Sequence, residues 1–232
     1  AAFDAMGERP EGIALVCANH IPHARGMGSS AAAIVGGIEL ARTLVVGGHQ
    51  LLPHHDALVL AATLEGHVDN VAAALLGGLT IAWGEGESAQ SLRIKPHPEL
   101  RPILCIPEGS VSTKKARAAL PESVSHSDAS FNVGRSSLLV AALTEEPHLL
   151  LEATEDKLHQ EYRKSSMSKS FKLLNALREA GLPAVISGSG PSVLVLTTEF
   201  VEEQVREIAG EDFDTQLVKV SLLGAHSVPL TN

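Results

Sequence analysis

Two glycines one residue apart, Gly26-Met27-Gly28, run straight into Ser29-Ser30 and the small-residue stretch Ala31-Ala32-Ala33, and they constrain this chain more than any other segment. Glycine takes positive φ without steric cost and lets a backbone come close to a ligand. A serine then suits the opening of a helix, because its hydroxyl can accept from the unpaired N–H groups of the first turn. Those donors and the positive end of the helix dipole make such a junction a receptor for an anion, and a polyphosphate laid across it meets several donors at once. The stretch is not a Walker loop, since no Lys-Ser/Thr follows the second glycine, and it lacks the third glycine of the dinucleotide fingerprint. On glycine spacing alone, a turn with a serine cap before an ordinary core helix is an equal reading.

Around this junction the chain reads as alternating elements. The apolar run Gly12 to Asn19 has strand length and leads through Ile21-Pro22 into the loop. The helix from Ser29 is expected to run to about Val46 and stop at Gly47-Gly48, and Ala31, Ala32, Ala33, Gly36 and Gly37 predict close packing against another element. Pro53 starts a second helix that ends at Glu65. His54, His55 and Asp56 are adjacent on that helix, point in different directions, and read as a solvated first turn rather than a metal cluster. After Glu65 come Gly66, His67, Val68, Asp69 and Asn70, where Asp69 or Asn70 would cap a short helix closing at Gly77. A carboxylate, an imidazole and an amide at one helix junction form a candidate polar site, and an exposed helix end followed by a cap is the plainer alternative.

Leu79 to Trp83 and Ser91 to Ile94 read as a hairpin, Lys95-Pro96-His97-Pro98 as a linker, and Arg101 to Ile106 as a new strand. Helical patterns follow at Val111 to Leu120, Ser125 to Leu143 and Ser168 to Ala180. Strands at Ala184 to Ser187 and Val193 to Thr197 flank Gly188-Ser189-Gly190-Pro191, itself readable as a plain tight turn. A helix over Phe200 to Ile208 and a strand over Gln216 to Ser221 complete an order that suits an α+β sandwich.

At 232 residues the chain can hold one large domain or two modest ones. Aromatics are only 3% of residues against 44% hydrophobic overall, so the interior has to be built from Ala, Val, Leu and Ile. A net charge of −9 argues against a general nucleic-acid binder, although a few local cations and helix N-termini still suffice for a small anion. Cys17 and Cys105 both lie in apolar, strand-like surroundings, and two such thiols read as buried and reduced rather than as a disulfide framework. No apolar stretch reaches membrane-span length and no secretory leader opens the chain, so the expectation is a cytoplasmic protein with no membrane partner.

The string Pro22 to Ala32, Pro-x-x-x-Gly-Met-Gly-Ser-Ser-Ala-Ala, resembles the second signature of the GHMP kinases, and Gly188-Ser189-Gly190-Pro191-Ser192 resembles the third. Three more segments resemble the homoserine branch of that superfamily: Glu65-Gly-His67-x-Asp69-Asn70-Val71-Ala72, Phe131-Asn132-x-Gly134-Arg135 and His159-Gln160-x-Tyr162-Arg163. Two departures stand out. The branch usually has Pro where this chain has Val68, and the first signature, Pro-x-x-x-Asn-x-Gly-x-Gly-Phe-Asp, is not found near the start. The resemblance therefore implies a two-domain fold. A ribosomal-S5-domain-2-like N-terminal domain, incomplete at its start, would cover residues 1–98, and a ferredoxin-like C-terminal α/β sandwich residues 99–232.

For function, the resemblance implies that ATP is held by Pro22, His23, Ala24, Arg25, Gly26, Met27, Gly28, Ser29, Ser30, Ala31 and Ala32, with Gly188, Ser189 and Gly190 set against that loop. Ser30 and Glu65 would bind Mg2+, a hard cation served by one hydroxyl, one carboxylate and phosphate oxygens. His67, Asp69 and Asn70 would lie at the substrate end. Arg135 and Arg163 would hold an amino-acid carboxylate, for which a guanidinium fork has the matching geometry. Glu65, Ser30 and Arg135 then form the catalytic group. Asp128 is not assigned as a base, and none is needed for a loose phosphoryl-transfer transition state. The implied reaction is ATP-dependent phosphorylation of L-homoserine in threonine biosynthesis, with a homodimer as the expected assembly. A mevalonate-type kinase of the same superfamily, or an inert nucleotide-binding fragment, remains as an alternative.

Overall fold

The computed structural model describes residues 1–228, with residues 113–115 described by their backbone alone. These form two compact units. Unit 1 holds residues 1–21, 28–95 and the segment from Ser221 onward, and unit 2 holds residues 22–27 and 96–220.

Unit 1 comprises α1 (Ala2–Met6), α2 (Ser29–Leu44), α3 (Gly48–Leu51), α4 (His54–Glu65), α5 (Asp69–Leu76) and the hairpin β1 (Leu79–Trp83) with β2 (Gln90–Ile94). The buried residues Ala31, Val35 and Ile38 recur at helical spacing along one stripe of α2, which packs on α4 and α5. The hairpin is antiparallel, in register from Leu79 opposite Ile94 to Trp83 opposite Gln90. The last described residues return to this unit, where Gly78 N–H donates to Ser221 O at 2.7 Å and Ala225 N–H to Ala74 O at 2.9 Å.

Several expectations for unit 1 are corrected. Residues 12–19 form no strand and are all exposed, Val16 by 94%. An apolar run becomes a strand only when a neighbour takes up its N–H and C=O groups, and no described strand pairs with this one. Cys17 is accordingly exposed, whereas Cys105 is buried. The stripe of small residues on α2 is only partly a packing face: Ala31 is fully buried, but Gly36 and Gly37 are exposed, and a Cβ on either would meet nothing within 4 Å. α2 also ends earlier, at Val45, whose extended backbone breaks the helical run before Gly47.

Unit 2 contains β3 (Ile103–Pro107), α6 (Thr113–Ala118), α7 (His126–Thr144), α8 (Leu150–Ala153), α9 (Gln160–Arg163), α10 (Ser168–Glu179), β4 (Ala184–Ile186), β5 (Val193–Val195), α11 (Glu202–Ala209) and β6 (Phe213–Leu217). Its sheet is antiparallel in the order β4-β5-β3-β6. That β-helices-β-β-helix-β path, with the first strand inside the sheet, is the ferredoxin-like arrangement. Phe171, Leu174 and Leu177 of α10 and Val205 of α11 share one core with Ile103, Cys105, Val193 and Val195. Burial pushes the Cys105 thiol up to about 11. Ser125 caps α7, its Oγ accepting from Asp128 N–H at 3.0 Å. The last strand starts at Phe213 rather than Gln216, because the buried Phe213 anchors it opposite Pro107. α11 starts at Glu202, and the Phe200 ring before it stays outside, under the Arg101 guanidinium at 4.0 Å. No described helix is long and apolar enough to cross a membrane.

Candidate functional site

In unit 1 the site begins at the head of α2. Gly28, at φ 70°, occupies the cap position and no side chain caps the helix, so Ser29 and Ser30 lie in the first turn instead of capping it. The first-turn amides therefore face outward as donors for a ligand or solvent. Ser30 Oγ donates to Glu65 Oε2 at 2.7 Å. Glu65 is the last residue of α4 and its side chain is only 10% exposed, so it is not the exposed helix end of the plainer alternative. Gly66 turns the chain at φ 87°, bringing His67 Nε2 to 3.8 Å from Glu65 Oε1 and His67 Nδ1 to 2.7 Å from Asp69 Oδ1. The expected cap by Asp69 or Asn70 is not formed: Val68 occupies the cap position with no side-chain hydrogen bond, and Asp69, the first helical residue, accepts only from its neighbour Asn70 N–H at 2.6 Å. The Asn70 side chain lies beside Gly28, where an added Cβ would sit 3.7 Å from its Cγ. Ser30, Glu65, His67, Asp69 and Asn70 thus form one continuous polar surface in this unit.

The Ser30 hydroxyl and the Glu65 carboxylate, joined by that hydrogen bond, are hard oxygen donors of the kind a divalent cation such as magnesium takes. Among the described residues no three His, Cys, Asp or Glu side chains gather to hold a metal, and His54, His55 and Asp56 form no such group. A metal at Ser30 and Glu65 would need further oxygens from a ligand and water.

In unit 2 the segment Pro22–Met27 is held by backbone carbonyls and a second glycine loop. Arg25 Nε donates to Pro107 O at 2.8 Å and Nη1 to His23 O at 3.2 Å, while Nη2 donates to Glu108 O. Ala24 O accepts from Val111 N–H at 3.1 Å, and Arg25 O from Ser192 N–H at 3.4 Å. Ser187 Oγ donates to Gly26 O at 2.9 Å. The approach is so close that a Cβ at Gly26 would fall 2.1 Å from Ser187 O and 2.8 Å from Gly190 N. Gly188 meets Gly26 in the same way, a Cβ there falling 3.1 Å from Gly26 O. Met27 is half-buried and His23 exposed.

Arg163 closes the other side of this glycine loop, donating from Nη1 to Gly188 O at 3.2 Å and from Nε to Ala116 O at 3.3 Å. Burial holds its pKa below the usual arginine value; Asp156 opposes that effect and the neighbouring Arg117 adds to it. The arginine whose charge reaches Arg163 is thus Arg117, at the exposed end of α6, which sequence reasoning missed: only the fold brings the two together. Arg135 is engaged elsewhere. Its Nε and Nη2 donate to Glu155 Oε2 at 2.9 and 2.7 Å, and its guanidinium lies 4.6 Å from the Phe131 ring centre.

Asn132 and Gln160, singled out with those arginines, hold the backbone. Asp156 Oδ1 accepts from Asn132 Nδ2 at 2.9 Å and Leu158 N–H at 3.1 Å, and Oδ2 from His159 N–H at 2.9 Å and Gln160 N–H at 2.6 Å. Burial works to raise the Asp156 pKa, but these bonds outweigh it and hold it below the usual carboxylate value. Gln160 Oε1 accepts from Ile186 N–H at 2.7 Å, tying α9 to β4.

The chain is similar to known proteins in both sequence and fold. Residues 1–78 match the GHMP kinases N terminal domain and residues 138–215 the GHMP kinases C terminal family. A homoserine kinase of Streptomyces avermitilis is 49% identical over 229 residues, covering 99% of this chain and 75% of that protein. One from Mycobacterium tuberculosis is 46% identical over 203 residues, covering 85% and 64%. Among solved structures, homoserine kinase from Cytophaga hutchinsonii superposes with a TM-score of 0.71 at 25% identity, over 89% of this chain and 69% of that one. A putative homoserine kinase from Listeria monocytogenes gives 0.67 at 26%, over 89% and 71%. With both family regions present and near half of its residues shared across almost its whole length, the chain belongs to the homoserine kinase family of the GHMP kinases.

Proposed function

We propose that the chain is an ATP-dependent kinase of L-homoserine, forming O-phospho-L-homoserine and ADP. The observation that carries this reading is the Ser30–Glu65 contact at the head of α2, which no side chain caps: a hydroxyl in the first turn of a helix, whose amides lack intrahelical partners, against a nearly buried carboxylate. Ser30 and Glu65 would hold magnesium, which when bound neutralises charge on the phosphate oxygens. The amides of Gly26 to Ala31 receive the phosphates. The homoserine hydroxyl attacks the γ-phosphorus in line as the bond to ADP breaks, and its proton leaves without a dedicated base.

In unit 1, His67, Asp69 and Asn70 supply polar contacts for the acceptor. In unit 2, Arg163, tied by Nε to Ala116 O in α6, takes the substrate carboxylate, for which its guanidinium fork has the matching geometry. Arg135 instead holds Glu155. The family boundary between the N- and C-terminal domains is placed at residues 98 and 99, and the enzyme acts in the cytoplasm, as a homodimer and without nucleic-acid partners. The test is ADP release from the purified chain with ATP and either L-homoserine, mevalonate or no acceptor. Homoserine-dependent turnover supports the reading; turnover only with mevalonate moves the chain to a sister activity, and ATP binding without any turnover leaves a nucleotide-binding fragment.

A further inference from the structure

Arg25 lies inside the phosphate loop and carries a full positive charge, so a phosphate contact is its obvious use. Its hydrogen bonds run the other way. All three guanidinium nitrogens donate to backbone carbonyls: Pro107 O, the last residue of β3, then Glu108 O just beyond it, and His23 O within the loop itself. A planar fork can serve three such acceptors together, whereas an ammonium cannot match them.

The residue before it explains why the loop needs such a clamp. Ala24 has φ 54° and is the one non-glycine residue at positive φ among those described. The left-handed conformation is disfavoured for an L-residue with a Cβ, and it persists only where the surroundings over-determine it. Here they do. Arg25 ties down the chain after Ala24, Val111 N–H holds Ala24 O at 3.1 Å, and the fork reaches back to the carbonyl of His23 before it. The next residue, Gly26, is already fixed against Ser187 and Gly190.

We infer that Arg25 is a positioning residue, which clamps the phosphate loop to the end of β3 and holds Ala24 in its left-handed conformation so that the following amides are aimed at the nucleotide. The inference rests on the kinase reading for its ligand, and its effect passes through backbone geometry, not through the charge.

The test measures ATP affinity of the intact chain by equilibrium titration without acceptor, alongside backbone hydrogen exchange of residues 23–28 without nucleotide. Turnover with homoserine is measured separately, so a failed activity does not obscure the outcome. Arg25→Ala is expected to weaken ATP about tenfold while leaving the homoserine KM within about twofold, and to speed exchange in the loop. Arg25→Lys should behave like Arg25→Ala, because the charge survives and the fork does not. Adding Ala24→Gly to Arg25→Ala should restore about fivefold in ATP affinity by removing the left-handed strain. Near-normal ATP affinity in Arg25→Lys together with loss in Arg25→Ala would overturn the inference in favour of a direct phosphate contact. So would exchange rates unchanged in both variants, or a double variant no better than Arg25→Ala.

Discussion

In unit 1, Ser30, Glu65, His67 and Asp69 touch one another in series, yet among the described residues Ser30 is the one hydrogen-bond donor to Glu65, within a carboxylate that can accept about four bonds. In unit 2, Asp156 accepts four hydrogen bonds, from Asn132, Leu158, His159 and Gln160, and is full. Both carboxylates are shielded and both sit beside a residue the family resemblance had pointed to. One has a single hydrogen-bond donor among the described residues, and the other has committed its acceptors to three backbone N–H groups and the Asn132 amide. On the proposed function, acceptor capacity left over, more than residue type or burial, would separate a binding carboxylate from a structural one.

Breaking the first cluster should cost activity with little stability. Glu65→Gln keeps the shape and a hydrogen bond to Ser30 but loses the charge, and kcat for homoserine phosphorylation should fall about 100-fold with Tm almost unchanged. Arg163→Ala, beside the second cluster but turned to the glycine loop, should raise the homoserine KM about tenfold or more and leave the ATP KM near its normal value. Arg135→Ala should raise it far less, since that guanidinium is spent on Glu155. A steady-state comparison of the two variants tests which arginine meets the carboxylate.

Breaking the second cluster should do the reverse. Asp156→Ala leaves three backbone N–H groups and the Asn132 amide without their acceptor, and should cost about 2 kcal/mol of stability. The pH dependence has a definite sign. A carboxyl whose pKa is depressed on folding stabilises the protein above its ordinary, unfolded value and loses that contribution as pH falls through the lower folded value. Thermal melts of the wild type should therefore drop below about pH 4, and Asp156→Asn should flatten that drop.

How far the sequence could show this follows from how local each signal is. The start of α2, the Glu65 end of α4 and the hairpin rest on neighbours in the chain, whereas the glycine loop, legible by its motif, is held in place by Pro107, Glu108, Val111 and Ser187 far along it. The ferredoxin-like order of unit 2 was also readable, because alternating strand and helix patterns leave few topologies. The saturation of Asp156 was not, since its fourth donor comes from Asn132 on α7. Nor was Arg117, whose neighbour Arg163 is close only once α6 and α9 are in place. Residues 12–19 failed as a strand for the same reason: the run carries the pattern, but pairing is a property of its neighbours. The smallest effect checks that point. One thiol, Cys17, should react with a maleimide reagent in the native protein, and Cys105 only after unfolding, its raised pKa and burial both opposing reaction. Mass spectrometry of the labelled chain counts them.

The most direct test of the contrast is the magnesium dependence of homoserine-dependent ADP release, compared between wild type, Glu65→Gln, Ser30→Ala and Asp156→Asn. The account predicts that the half-saturating magnesium concentration rises about tenfold or more in the first two variants and stays at the wild-type value in Asp156→Asn. An unchanged magnesium requirement in Glu65→Gln, with activity retained, would contradict it.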